Sequence, residues 1–368
     1  MYLRSSALYR YRLPFSPPLT IKGMTLRYRE GLLLRLTGED GSEGWGETAP
    51  LPGFSEGSLG EAAAQLRRLA EPMTGREATE EWVNPDGDFS RNLDRIDPAS
   101  SVRFGFELAV WNLYASTSGR ELPELVTPHP RAVVPVNRLI SGSPEEVLPE
   151  EVLEEVRRMR DAGYRSIKLK VGERAVAEDI ALVRALGEEI GDGLSLRLDA
   201  NRAWDYREAA GFVRGVSGTR FEYVEEPLTD TARLPELVRE FGVPVALDES
   251  LVGIGLEELE EHRYARAFVI KPMMIGGISR TLRVAERALG LGVTPVVSSA
   301  YESGVGTAAL VALAAGIGDR AIPAGLDTYR RLAGDVLRTN LDLPAPSVGV
   351  RETAEASRTV DVRRLKAL

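Results

Sequence analysis

Between residues 133 and 324 the chain alternates short apolar segments with stretches of helical periodicity, and few folds accommodate that alternation. Candidate strands fall at 133–140, 166–171, 194–199, 221–225, 244–248, 266–271, 294–298 and 321–324. Helical stretches lie between them; in 174–190, Val176, Ile180, Val183 and Ile190 mark one face. Eight strands with intervening helices favour a closed parallel barrel. A doubly wound open sheet is the runner-up. No Gly-x-Gly-x-x-Gly turn follows the first strand, so a dinucleotide site has no support.

Residues 1–130 read differently. Short apolar stretches such as 31–36 suggest strands, 49–54 is a Pro/Gly-rich loop, and helical stretches lie near 57–70 and 99–116. This is an α+β unit. The tail after about Leu332 has no barrel strand left to supply and is expected to return to that unit. The fold class is α/β: a modified (β/α)8 TIM-like barrel over 131–331, with an N-terminal α+β domain over 1–130 joined by the tail 332–368.

Five apolar segments of the barrel region end in an ionisable residue: Lys170, Asp199, Glu225, Asp248 and Lys271, in steps of 29, 26, 23 and 23 residues. One polar side chain per strand at the C-terminal rim produces such a rhythm. Strand side chains alternate faces. If Ile167, Leu169 and Val171 pack outward, Lys168 and Lys170 point inward, and so do Arg197 with Asp199, Tyr223 with Glu225, Ala246 with Asp248 and Val269 with Lys271. A barrel interior is normally filled by branched apolar side chains, and burying unpaired ions costs several kcal/mol each. Rim salt bridges explain any one of these charges as readily as function does, but not all five on successive strands.

Asp199, Glu225 and Asp248 would form a contiguous acidic arc whose mutual repulsion raises each pKa, and a divalent cation relieves that. With only oxygen ligands, Mg2+ is the first choice and Mn2+ the second. Lys170 and Lys271 would face each other from opposite walls. Lys168 and the metal both disfavour charge on Lys170, which suits it as a base toward an acidic carbon. Schiff-base chemistry at a barrel lysine leaves the three acids unexplained. A non-catalytic binding protein on this fold needs no lysine on each side of its ligand.

Bulk composition excludes several classes. Lys+Arg 46 against Asp+Glu 55 gives a net charge of −9, which argues against a nucleic-acid partner. The chain has no cysteine, so disulfides and thiol nucleophiles are excluded, and its two histidines, His129 and His262, make a Ser-His-Asp triad or multi-histidine metal site a poor fit. The N-terminal segment lacks the apolar core of a signal peptide, and the longest apolar run, 308–318, is too short to span a bilayer. A cytoplasmic protein without a membrane partner is expected; a homo-oligomer stays open.

With those residues in hand, the chain resembles the enolase superfamily, in its muconate-lactonizing subgroup. The subgroup pattern is Lys-x-Lys on the second strand, Asp, Glu and Asp ligands on the next three, and Lys on the sixth. Here these are Lys168 and Lys170, Asp199 in LDANRAW, Glu225 in VEEPL, Asp248 in LDES and Lys271 in IKPMMIGG. A Lys or His base acting with Mg2+ is a general property of that superfamily, not a deduction from this chain. The segments REGLLLRL, GWGETAPLPGFS, VRFGFELAVWNL, VPVNRLISG, SSAYESGVG and AGLDTYRRLAGDVL further resemble the o-succinylbenzoate synthase family, and N-succinylamino-acid racemases are similar. The resemblance implies a lyase of menaquinone biosynthesis that dehydrates 2-succinyl-6-hydroxy-2,4-cyclohexadiene-1-carboxylate, a small dicarboxylate, to 2-succinylbenzoate. It also implies that the α+β unit is a capping domain, with Lys170 as base and Lys271 stabilising the anion.

Other candidates carry two readings each. Arg197 either pairs with an interior carboxylate or contacts substrate. Asn201 either bonds metal-bound water or caps the next helix. Ser298 and Ser299 either donate to a succinyl group or act as N-caps. Glu302 and Ser303 are equally open. Glu249 either pairs with a site lysine, supports the metal shell, or sits solvated past its strand. Loops 23–29 and 51–55 are candidate lids, and the four tryptophans are read as core.

Overall fold

The computed structural model describes residues 1–21, 23–55, 57–140, 149–191 and 193–368. The last two residues of the VPVNRLISG segment, Ser141 and Gly142, fall outside them.

The N-terminal unit is built on a long antiparallel hairpin, β1 (Leu3–Ile21) and β2 (Met24–Gly38), with β3 (Glu43–Thr48) on the free edge of β2. Helices α1 (Leu59–Ala70), α2 (Asp88–Ile96), α3 (Ser100–Ser118) and α4 (Leu122–Val126) follow. Ser58 and Glu61 form a capping box that starts α1. The run Gly44-Trp45-Gly46-Glu47 shows how strand alternation divides labour. A side chain at Gly44 or Gly46 would collide with the α3 backbone, so those positions let helix and strand approach closely. Glu47, on the alternate set, reaches the barrel.

The barrel chain enters through β4 (Val133–Pro135) and β5 (Arg138–Ile140), followed by α5 (Pro149–Asp161). Then come β6 (Ser166–Lys170), α6 (Val176–Ile190), β7 (Ser195–Asp199), α7 (Tyr206–Gly215), β8 (Tyr223–Glu225), α8 (Leu234–Phe241) and β9 (Val245–Leu247). Next are β10 (Ala267–Ile270), the short α9 (Pro272–Ile275), α10 (Ile278–Gly290), β11 (Thr294–Val297) and α11 (Gly304–Gly316). The tail adds β12 (Ser347–Gly349), α12 (Val350–Ser357) and β13 (Lys366–Ala367).

Strands β5 to β11 form one parallel seven-stranded sheet in chain order. The expected eighth strand at 321–324 is absent as a strand. In its place Ala324 bridges Val136 and Gly325 bridges Ser298, which joins the two sheet edges through single pairings. Pro323 has no N–H for a ladder, which explains the shortened pairing. The single strand expected at 133–140 is also two: β4 leaves the barrel to pair with β12, and β5 pairs with β6. Between β9 and β10 the chain uses 3-10 turns at Glu249–Leu251 and Glu258–His262.

Alternation sorts the strand residues as period two requires. Ile167, Leu169, Leu196, Leu198, Val224, Leu247 and Phe268 join the helices in one large core. Tyr223, Ala246, Ala267, Val269 and Val296 form a separate cluster inside the barrel, with Ile322 packed against it. The tail makes two returns: β12 to β4, and β13 to β1 with Tyr9 opposite Ala367.

Candidate active site

The register of the parallel sheet sets Lys170 beside Asp199, and Asp199 beside Glu225. Asp248 and Lys271 follow β9 and β10 directly. The five residues therefore occupy five successive positions around the C-terminal rim, and β6 and β10, four strands apart, put Lys170 and Lys271 on opposing walls. Lys168 Nζ lies 2.9 Å from Asp199 Oδ2 and 2.8 Å from Glu225 Oε1. Lys271 Nζ donates to Asp248 Oδ2, and Lys170 Nζ donates to Asn201 Oδ1. Asp199, Glu225 and Asp248 are all buried.

Burial sets the electrostatics and the neighbours sort them. Burial opposes charge on Lys168, yet Asp199 and Glu225 outweigh it and its pKa is raised well above an ordinary lysine's. Burial likewise opposes charge on Lys271, and Asp248 reverses that. Glu225 is pushed well up by burial and by repulsion from Asp199. Asp199 goes down: burial works against its charge, but Lys168 and Lys170 prevail. Repulsion among the acids thus raises Glu225 and not all three alike, because Lys168 and Lys170 favour ionised Asp199.

As they stand, no three His, Asp or Glu side chains among the described residues make a ready metal cage. Lysine ammonium groups hold the acidic oxygens together instead. The donor set nevertheless suits a hard divalent cation: three buried carboxylates, all oxygen. Among the described residues Glu225 Oε2 is buried with no hydrogen-bond partner, an acceptor that a cation would satisfy. The residues fit the group.

Of the two readings of Arg197, the structure shows pairing with a carboxylate and not a place at the rim. Its guanidinium donates to Glu222 at 2.8 Å and to the Pro323 carbonyl at 2.8 Å, with Tyr223 beneath it. Both partners precede their barrel positions, so Arg197 is committed at the floor, away from the rim. Asn201 is no helix cap, since Asp205 caps α7 in a box with Glu208. Asn201 has a φ of 43° and joins Lys170 to Glu249, its Nδ2 standing 3.5 Å from Glu249 Oε1. Glu249 is raised by burial and by Asp248, and its Oε2 has no partner among the described residues. Ser298 and Ser299 both donate to the Gly325 carbonyl, at 3.4 and 2.8 Å, and Ser299 also meets Thr328. They close the seventh and eighth barrel positions; neither caps α11.

Glu225 and Glu226 are now told apart. Glu226, at φ 42°, turns away and accepts from Asp248 N, Ser250 N and Arg202 at 2.9, 2.8 and 3.1 Å. Of the candidate lids, residues 24–29 belong to strand β2, whereas loop 51–55 reaches the mouth, with Ser55 Oγ 3.5 Å from Met274 Sδ. All four tryptophans are buried.

Two buried residues have roles that the sequence reading did not give, Arg29 having entered it only as the end of a candidate lid. Arg29, 1% exposed, donates to Pro50 O at 2.8 Å, Tyr301 O at 3.0 Å, Ala300 O at 3.2 Å and Ala49 O. It ties the N-terminal sheet to the loop after β11. Glu47 accepts from Ser303 N and Gly306 N, both at 2.8 Å, and from Tyr11, so a carboxylate from the N-terminal sheet caps α11. The Gly-x-Gly alternation around Glu47 was the one available signal; Arg29 had none.

Comparison with known proteins places the chain in a family. Residues 151–353 match the model described as enolase C-terminal domain-like, and residues 3–113 match the MenC N-terminal domain. An o-succinylbenzoate synthase from Yersinia enterocolitica is 33% identical over 352 residues, covering 95% of this chain and 97% of that one. A muconate lactonizing enzyme from Pseudomonas fluorescens, solved with muconolactone, superposes with a TM-score of 0.84 at 24% identity, covering 99% and 98% of the two chains. An N-succinyl Arg/Lys racemase from Bacillus cereus gives 0.81 at 20%, covering 98% of each. The chain belongs to the o-succinylbenzoate synthase family of the enolase superfamily.

Proposed function

We propose that this chain dehydrates 2-succinyl-6-hydroxy-2,4-cyclohexadiene-1-carboxylate to 2-succinylbenzoate, the step its family relatives perform toward menaquinone. The carrying observation is the rim order: Lys170, three buried acids and Lys271 on successive barrel strands. Asp199, Glu225 and Asp248 would hold a divalent cation, Mg2+ first and Mn2+ second, which when bound offsets the charge that builds on the substrate carboxylate.

Lys170 takes the proton from the carbon bearing that carboxylate. Asn201, its hydrogen-bond partner, aims the amine. Lys271 stays charged and stabilises the anion from the opposite wall. Lys168 keeps its charge between Asp199 and Glu225 and acts electrostatically, not as a base. Protonated Lys170 then returns its proton to the departing hydroxide on the same face, and the ring becomes aromatic.

A second reading, racemisation of N-succinyl amino acids, is favoured by the same opposed lysines, with Lys271 as a second base. Two assays on purified protein with Mg2+ separate them. Loss of cyclohexadiene absorbance supports dehydration. Rapid exchange of the α-hydrogen of both enantiomers of an N-succinyl amino acid in D2O, without that loss, replaces dehydration by racemisation.

A further inference from the structure

Tyr301 lies on the loop between β11 and α11 with a φ of 63°, a left-handed conformation that a bulky side chain seldom adopts. The loop is held there from both sides. Arg29 donates to the carbonyls of Tyr301 and Ala300, at 3.0 and 3.2 Å, and the Ala300 N–H donates to Glu302 at 2.7 Å. The Tyr301 ring meets Phe15 of β1 edge-on, with centroids 5.5 Å apart. Among the described residues, nothing hydrogen-bonds its hydroxyl. Backbone strain held at a defined place marks a side chain being aimed.

Arg331 approaches the same spot from the segment after the eighth barrel position. It ends the 3-10 turn Asp327–Arg331; the next residue, Leu332, bridges Phe15, and Ala333 N donates to Pro14 O at 2.9 Å. Phe15 is thus flanked by both Tyr301 and the Arg331 segment. Arg331 Nε is buried without a partner, and no acid among the described residues pairs with its guanidinium; Asp327 faces Arg330 instead, at 3.7 Å. Burial raises the Tyr301 phenol, and the charges acting against that are all cationic: Arg331, Lys271, Lys168 and Arg29. Lys168 and Lys271 already have acid partners, and Arg29 spends its donors on carbonyls. Among the described residues the Arg331 charge has none.

We propose that the Tyr301 hydroxyl and the Arg331 guanidinium bind the carboxylate at the free end of the substrate's succinyl arm, an assignment that rests on the function proposed above. An unpaired arginine fork and a phenol donor are suited to a carboxylate. Their place on the rim fits as well. The acidic arc takes the third to fifth barrel strands, whereas Tyr301 and Arg331 follow the seventh and eighth positions. A substrate with one carboxylate at the acidic arc would extend its second across the mouth to this pair.

The test compares two ligands that differ at that carboxylate. Binding of 2-succinylbenzoate and of 2-butyrylbenzoate, which lacks the terminal carboxylate, is measured by calorimetry with Mg2+ present, for wild type, Arg331→Met, Arg331→Lys and Tyr301→Phe. Arg331→Met should weaken 2-succinylbenzoate ~10- to 100-fold, as for a lost hydrogen bond between charged groups. Arg331→Lys should recover part of that loss, and Tyr301→Phe, which deletes only the hydroxyl, should lose several-fold. Binding of 2-butyrylbenzoate should stay the same in every variant, and the kinetic penalty should fall on KM more than on kcat. Equal weakening of both ligands, or of neither, overturns the subsite. If Arg331→Met does not fold, Tyr301→Phe decides by the same criterion. Wild-type protein without cyclohexadiene turnover would instead defeat the functional reading, so the two failures are distinguishable.

Discussion

Arg197 and Asp199 sit two residues apart on β7, face the same barrel interior and are both buried, yet they serve opposite ends of it. At the floor, Arg197 meets a carboxylate, a carbonyl and an aromatic face, and Ser195 Oγ donates to the same carboxylate. At the mouth, three acids share two ammonium groups, and one Glu225 oxygen has no partner among the described residues. The floor is a closed electrostatic unit. The mouth is balanced only provisionally. A count of buried charges cannot separate the two; the pairing does.

The largest effect should come from emptying the mouth. Treatment with EDTA should bring turnover to background, and added Mg2+ should restore it; full activity in chelated protein would erase the distinction between the ends. Lys170→Ala should lower kcat by about 10²–10⁴, the usual contribution of a positioned acid/base group. Thermal stability should barely change, because Lys170 makes its bond to a rim side chain, Asn201. An active Lys170→Ala enzyme removes that residue as base.

Arg197→Met tests the floor in the reverse sense. It removes the arginine from Glu222, which among the described residues keeps only the Ser195 hydroxyl, and should cost about 3 kcal/mol in urea unfolding, near the low end for a broken buried pair, since Glu222 is partly exposed. Its kcat should stay within about twofold of wild type. A large loss of kcat with unchanged stability would move Arg197 back toward the substrate.

The smallest effect concerns Glu302, a buried acid that no cation among the described residues pairs with. Burial and the nearby Glu47 raise its carboxyl from 4.5 to about 7. Between those values the folded chain keeps a proton that the unfolded chain has released. Stability therefore falls as pH rises through that window and levels off above it. Glu302→Gln should match wild type near pH 4 and be more stable at pH 8, by on the order of 1–3 kcal/mol in denaturant titrations. A constant difference across pH would show that Glu302 is ionised throughout.

How legible was all this beforehand? Lys170, Asp199, Glu225, Asp248 and Lys271 stood out because each ends an alternating apolar segment, and parallel register keeps their order around the rim. Arg197 obeyed the same alternation, which left its two readings open: the period assigns a face, not an end. The eighth strand at 321–324 looked like its predecessors, but Pro323 reduced it to single bridges. Arg29 offered nothing to read, since its acceptors are carbonyls at Ala49, Pro50, Ala300 and Tyr301.

From sequence alone came the barrel, its acidic arc and the two opposing amines, because strand periodicity and the spacing of βα units are local properties of the chain. Only the folded structure decided which charges neutralise one another, that Arg197 belongs to the floor, and that the N-terminal sheet caps α11 through Glu47. Those outcomes depend on distances between residues far apart in the chain, and Coulomb and hydrogen-bond energies follow distance and burial, not sequence position.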